Sequence, residues 1–82
     1  MRAKVILPKS GMGIEEGTIG DWLKAIGDQV QQGEPLVEVE TAKAIEVVEA
    51  KVSGRLVAIL AHKGETIPVN STIGEIEAEL ES

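Results

Sequence analysis

The sequence predicts an all-β domain: a flattened β-barrel or sandwich of two four-stranded antiparallel sheets with pseudo-two-fold symmetry. Three observations lead there. The apolar residues are mostly Val, Ile and Leu, with Trp22 the only aromatic, which suits side chains packed at strand spacing. Nine glycines are spread along the chain and not clustered, as expected of many short strands separated by tight turns. The chain also matches itself without a gap at an offset of 37 residues, Gly17 to Glu40 lying over Gly54 to Glu77.

The match has physical content. Ile19 falls on Leu56, Trp22 on Ile59, Gly27 on Gly64, Asp28 on Glu65, Val30 on Ile67, Leu36 on Ile73 and Val39 on Ile76. Gly33 meets Asn70, the other residue that tolerates a left-handed backbone. Neither half could bury its own apolar face, so two sheets packed on each other are the natural solution.

The elements follow in order. A first strand over 3–8 carries "KVIL". Each half then runs through one pattern: a strand (17–25, 54–62), a turn in which glycine precedes an acid, a very short strand (29–31, 66–68), a second turn and a closing strand (35–41, 72–78). The strand 44–51 opens the second half as 3–8 opens the first. Residues 1–79 form one domain, and 80–82 begin a linker or tail. Met1 and the acidic "EAELES" suggest the amino-terminal domain of a longer protein.

The halves differ in one place. Pro8 to Gly17 spans nine steps whereas Ala50 to Gly54 spans four, an insertion of about five residues in the first half. Ser10, Gly11, Met12, Gly13, Ile14, Glu15 and Glu16 have the composition of an exposed loop, a candidate surface for partner recognition.

Between the halves lies "VEVETAKAIEVVEA". Strands ending at Glu40 and starting near Ala44 leave Thr41, Ala42 and Lys43 as a tight connection. The alternation Glu38, Val39, Glu40 and Ile45, Glu46, Val47 puts one face in the core and the other in water. Lys43 therefore protrudes on the single link between two matched halves, flanked by Ala42 and Ala44, which cannot crowd it. A lone lysine in a polar hairpin is ordinarily a solvated surface residue; its placement at the centre of the repeat is what singles it out.

Composition excludes several classes. The net charge is −6, and phosphate binding needs basic patches that this chain lacks, so no nucleic-acid partner is expected. There is no cysteine, hence no disulfide, thiolate metal site or cysteine nucleophile. Apolar runs such as "LVAILA" are far too short to cross a bilayer, which points to a cytoplasmic protein without a membrane partner. "GMGIEEG" is not a phosphate loop: no helix pattern follows, and Glu15 and Glu16 would repel phosphate. His62 has neither a nucleophile nor an orienting acid in prospect, so no catalytic or metal site is expected. Trp22 is assigned to the core, its indole N–H needing a partner.

"ETAKA", "AIGDQVQQGEPLVEVE" and "GETIPVNSTIGEIE" together resemble the lipoyl domains of 2-oxo acid dehydrogenase complexes over nearly the whole chain. The resemblance implies that Lys43 carries lipoic acid in amide linkage, with Glu40, Thr41, Ala42 and Ala44 as its hairpin context. It implies a non-catalytic swinging-arm carrier within a dihydrolipoamide acyltransferase. The implied partners are a thiamin-diphosphate decarboxylase, the acyltransferase catalytic domain, a flavin dihydrolipoamide dehydrogenase, and a lipoate ligase or lipoyl transferase. The commonest family hairpin has aspartate where this chain has Ala42, a departure that bears on which complex is served; acetoin-cleaving complexes include domains with small residues there. Two rivals share the fold: a biotin carrier with biotinyl-Lys43, whose sites typically flank the lysine with methionines absent here, and an unmodified structural lipoyl-like module, which need not keep a lysine at the tip.

Overall fold

A computed structural model describes residues 1–9 and 13–78. Ser10, Gly11 and Met12 of the expected loop and the tail expected from residue 80 lie outside the described residues. Eight strands are present: β1 (Arg2–Ile6), β2 (Glu16–Trp22), β3 (Gln29–Val30), β4 (Pro35–Glu40), β5 (Ile45–Glu49), β6 (Gly54–Ile59), β7 (Thr66–Pro68) and β8 (Thr72–Ala78). β2 and β6 stop earlier than expected, because the residues that follow turn out of the ladder. Leu23 and Leu60 each give one N–H to Leu36 and Ile73 respectively, and the Ala25 and His62 carbonyls then accept from the turn acids Asp28 and Glu65.

The strands form two antiparallel sheets, ordered β1-β8-β6-β3 and β5-β4-β2-β7. Exchanging each strand of the first half with its counterpart in the second converts one order into the other. The register obeys the same exchange. Thr18 pairs with Glu40 and Ile19 with Val39 in one sheet, Arg55 with Glu77 and Leu56 with Ile76 in the other. A register shift follows Ile19 in one half and Leu56 in the other.

The halves are interlocked rather than stacked. Gly27 donates its N–H to the Leu56 carbonyl, and Gly64 donates to Ile19. In return Leu56 donates to Asp28, and Ile19 to Glu65. Each glycine-acid turn thus docks on a strand of the other half. The glycines there have φ of 98° and 93°, the left-handed region that L side chains avoid. The acids close the turns: the Asp28 carboxylate accepts the Ala25 N–H at 2.9 Å, and that of Glu65 accepts the His62 N–H at 2.6 Å. The second turns match as well, with Gly33 at φ 89° and Asn70 at φ 69°.

Between the sheets lies one core. Leu36, Val37, Val39, Leu56, Ile73, Ile76, Ile19 and Val30 are its most deeply buried side chains. Trp22 packs against its edge, and its indole donates to the Ala61 carbonyl at 2.8 Å, so the polar handle required of a half-buried Trp is satisfied. Trp22→Phe is expected to lower stability by about 1 kcal/mol, the net worth of one such bond, measured by urea unfolding followed by circular dichroism. At the surface, the Lys24 amine bonds Glu34 at 2.8 Å. That bond, then the Gln31 N–H, hold the Glu34 carboxyl below its ordinary range.

Two expectations need correction. The first strands superpose 43 residues apart, Arg2 on Ile45, since both face strand partners themselves 37 apart; the insertion in the first half is therefore six residues, Leu7 and not Pro8 being the counterpart of Ala50. The central connection, moreover, is four residues long. Glu40 pairs with Ile45, Glu38 with Val47 and Val37 with Val48. A three-residue connection would have set Val39 opposite Ile45 and Val37 opposite Val47, with both β5 residues in the core. The added residue turns them outward, since a slip of one exchanges the faces of a strand. Ile45 is 65% and Val47 46% exposed, while Val48 and Ala50 are buried.

Candidate functional site

The hairpin joining β4 to β5 is built around one hydroxyl. The Thr41 N–H donates to the Ala44 carbonyl at 2.9 Å, and the Thr41 Oγ1–H donates to the same carbonyl, also at 2.9 Å. Thr41 Oγ1 in turn accepts the Lys43 N–H at 3.3 Å and the Ala44 N–H at 3.2 Å. The side chain thus replaces the backbone acceptor that would otherwise close the turn, the mechanism by which Thr favours such positions. Sequence reasoning placed Thr41 in the hairpin without seeing this role, although a hydroxyl residue at the first turn position was the available signal.

Ala42, Lys43 and Ala44 are all exposed. Two rigid strands carry the tip, and its backbone is pinned from Thr41. The chain neighbours of Lys43 in the turn are two alanines. Such a site can present a primary amine to an enzyme. Among the described residues no group of three or more acidic, His or Cys side chains is placed to hold a metal, His62 is exposed, and no helix is long and apolar enough to cross a membrane.

The first-half loop runs beside this tip. Gly13, Ile14, Glu15 and Glu16 share an open groove of about 420 Å³ with Glu40, Thr41 and Ala42. Within the loop the roles divide: Ile14 is buried and anchors the segment, while Glu15 and Glu16 are exposed. The Glu15 carbonyl accepts the Val69 N–H at 2.9 Å, tying the loop to the second half. Two elements far apart in sequence thereby make one surface that reaches Thr41 and Ala42 of the hairpin.

Comparison with known proteins shows the family and the fold. Residues 3–76 match the model of the biotin/lipoyl family, described as biotin-requiring enzyme. The chain is 40% identical, over 95% of its length, to the dihydrolipoyllysine-residue succinyltransferase component of the 2-oxoglutarate dehydrogenase complex of Bartonella vinsonii, of which it covers 19%. It is 44% identical, over 88% of its length, to the acetyltransferase component of the pyruvate dehydrogenase complex of Mycobacterium bovis, covering 13%. To the acetyltransferase component of the acetoin cleaving system of Bacillus subtilis it is 34% identical over 89% of its length, covering 18%. The chain thus spans less than a fifth of the length of these relatives. The solution structure of the lipoyl domain of the 2-oxoglutarate dehydrogenase complex from Azotobacter vinelandii superposes with a TM-score of 0.74 at 27% identity, covering 93% of this chain and 98% of that one.

Proposed function

The chain belongs to the biotin/lipoyl family, and from that premise we propose that it is a lipoyl carrier domain in which Lys43 bears lipoic acid in amide linkage. The observation that supports this most is the position of Lys43: an exposed amine, on a hydroxyl-pinned tip, at the one link between two matched halves. The residues suit the group, since Lys43 is exposed between two alanines and a chain without cysteine has no thiol that would exchange with a dithiolane. When bound, the group supplies a redox-active dithiolane that accepts and delivers acyl groups. The protein's own part is mechanical. Thr41 fixes the direction in which the arm leaves, and the strands keep its anchor rigid. Tethering raises the effective concentration of the arm at successive sites, and amide formation removes the lysine's charge, so that a neutral stem enters the partner channels.

In this reading residues 1–79 are a non-catalytic module of a cytoplasmic dihydrolipoamide acyltransferase. It serves a thiamin-diphosphate decarboxylase, the acyltransferase catalytic domain and a flavin dihydrolipoamide dehydrogenase, after loading by a lipoate ligase or lipoyl transferase. The loop with exposed Glu15 and Glu16 contributes to partner recognition. Alanines at 42 and 44, where biotin carriers place methionines, favour lipoate over biotin.

Incubation with a lipoate ligase is expected to add one lipoyl mass, lost entirely in Lys43→Arg, while a biotin ligase adds none; intact-mass analysis reads both. A biotinyl gain would select the biotin carrier instead, and no gain with either enzyme would leave the unmodified structural module.

A further inference from the structure

The internal repeat supplies a control for the outer faces of the two sheets. On the first sheet Glu75 and Glu77 lie at neighbouring outward positions of β8, and Arg2 on the adjacent strand answers both. Its guanidinium Nη1 bonds Glu75 at 3.0 Å and its Nε lies 3.7 Å from Glu77. The N-terminal ammonium adds a third contact, 2.7 Å from Glu77, and with it chiefly holds that carboxyl below its ordinary range. Glu38 and Glu40 are the repeat counterparts of Glu75 and Glu77, and the counterpart of Arg2 is Ile45. Among the described residues, neither Glu38 nor Glu40 forms an ion pair.

The surface there is shaped as well as charged. Glu38, Glu40 and Ile45 line a depression of about 170 Å³ together with Thr18, Ile19, Gly20, Asp21 and Lys63. That is smaller than an ordinary small-molecule pocket and suits one long side chain. Its other polar groups are engaged: Thr18 Oγ1 lies 2.8 Å from Thr66 Oγ1, and the Lys63 amine is 2.8 Å from Asp21. What remains is two carboxylates beside an exposed isoleucine, two residues from Lys43.

We propose that Glu38, Glu40 and Ile45 form a cradle for one arginine of the decarboxylase that loads the arm, its stem on Ile45 and its guanidinium on the two carboxylates, as Arg2 sits on the twin pair. This rests on the carrier reading, in which the decarboxylase must select this domain as its substrate. Arginine fits better than lysine because its planar fork can engage two carboxylates together. A second copy of this chain is a poor occupant. Its net charge of −6 is repulsive, and of its two arginines Arg2 is already engaged. Docking here would set the tip beside the enzyme's entrance with the register fixed.

The test uses the lipoylated domain with the decarboxylase components of the pyruvate, 2-oxoglutarate and acetoin systems, following reductive acylation. Glu38→Gln/Glu40→Gln should raise KM roughly tenfold with kcat unchanged, the loss expected of a charge-assisted contact, and flatten the dependence of KM on salt. Ile45→Arg, which supplies the missing guanidinium from within, should raise KM similarly while increasing thermal stability. Lipoylation by the ligase should be unaffected in Ile45→Arg, and the double variant is assayed after its lipoylation is shown complete by intact mass. An unchanged KM in the double variant overturns the cradle and leaves the carrier reading standing. An effect confined to the acyltransferase catalytic domain, or concentration-dependent dimerisation abolished by the double variant, overturns the choice of occupant. Absence of any lipoyl mass gain in the unsubstituted domain overturns the carrier reading and the cradle together.

Discussion

Gly54→Ala is expected to unfold the domain or bring it to the edge of unfolding. Gly54 is buried where β6 lies between β3 and β8, pairing with Val30 and Ala78. A Cβ there would overlap the Glu77 carbonyl oxygen and come within 2.9 Å of the Ala78 Cα. Every one of those atoms is backbone of β8, which is held on its far side by β1, so relief requires parting a central ladder. Overpacking of this kind costs about 3 kcal/mol or more, against a total stability of roughly 4 to 12 kcal/mol for a domain of this length. The repeat provides graded comparisons. At Gly17 the added Cβ would meet Val39 Cγ1 at 2.5 Å, a side chain that can turn, so Gly17→Ala should cost less, about 1 to 3 kcal/mol. At Gly33 there is open space but a φ of 89°, and about 1 kcal/mol is expected. Urea denaturation of the three variants tests the order; a Gly54 variant no less stable than the Gly33 one would contradict the packing of β6 on β8.

Thr41→Val should slow lipoyl attachment roughly tenfold while barely moving the melting temperature. The substitution keeps the shape and β-branching of the side chain and removes only the hydroxyl. With it go one bond to the Ala44 carbonyl and the acceptor for the Lys43 and Ala44 N–H groups. The freed groups are solvent-exposed, so water compensates most of the loss and global stability changes little. The backbone that aims Lys43, however, loses what holds it, about 1 to 2 kcal/mol of local order, and tenfold in rate corresponds to 1.4 kcal/mol. Thr41→Ser should restore the rate. Mass-resolved time courses with the ligase measure it, and hydrogen exchange at Lys43 and Ala44 should quicken in the Val variant alone. Equal rates for the Val and Ser variants would show that the ligase is indifferent to how the tip is held.

Much of this was legible before any coordinates. The 37-residue offset pairs Gly27 with Gly64 and Gly33 with Asn70, and all four adopt positive φ. Turn chemistry is local, and a residue forced into the left-handed region declares itself by type. Ile14 was less legible: in a polar, glycine-rich loop it read as one more exposed residue, yet it is buried, because a segment that crosses onto the other half needs an anchor. Ile45 and Val47 were misread for a related reason. "IEVVEA" contains two interleaved apolar alternations, and periodicity alone cannot choose between them.

The sequence by itself determined the eight strands, their division into two matched halves and the isolation of Lys43 on the link between them. Each rests on alternation, turn residues and spacing, which are properties of neighbours along the chain. Only the tertiary structure decided that each glycine-acid turn closes on the opposite half, that a four-residue connection turns Ile45 and Val47 outward, and that Glu38 and Glu40 lack the arginine their twins possess. Those outcomes depend on register between strands distant in sequence. A shift of one residue in register reverses the faces of a strand while leaving its composition and its period unchanged.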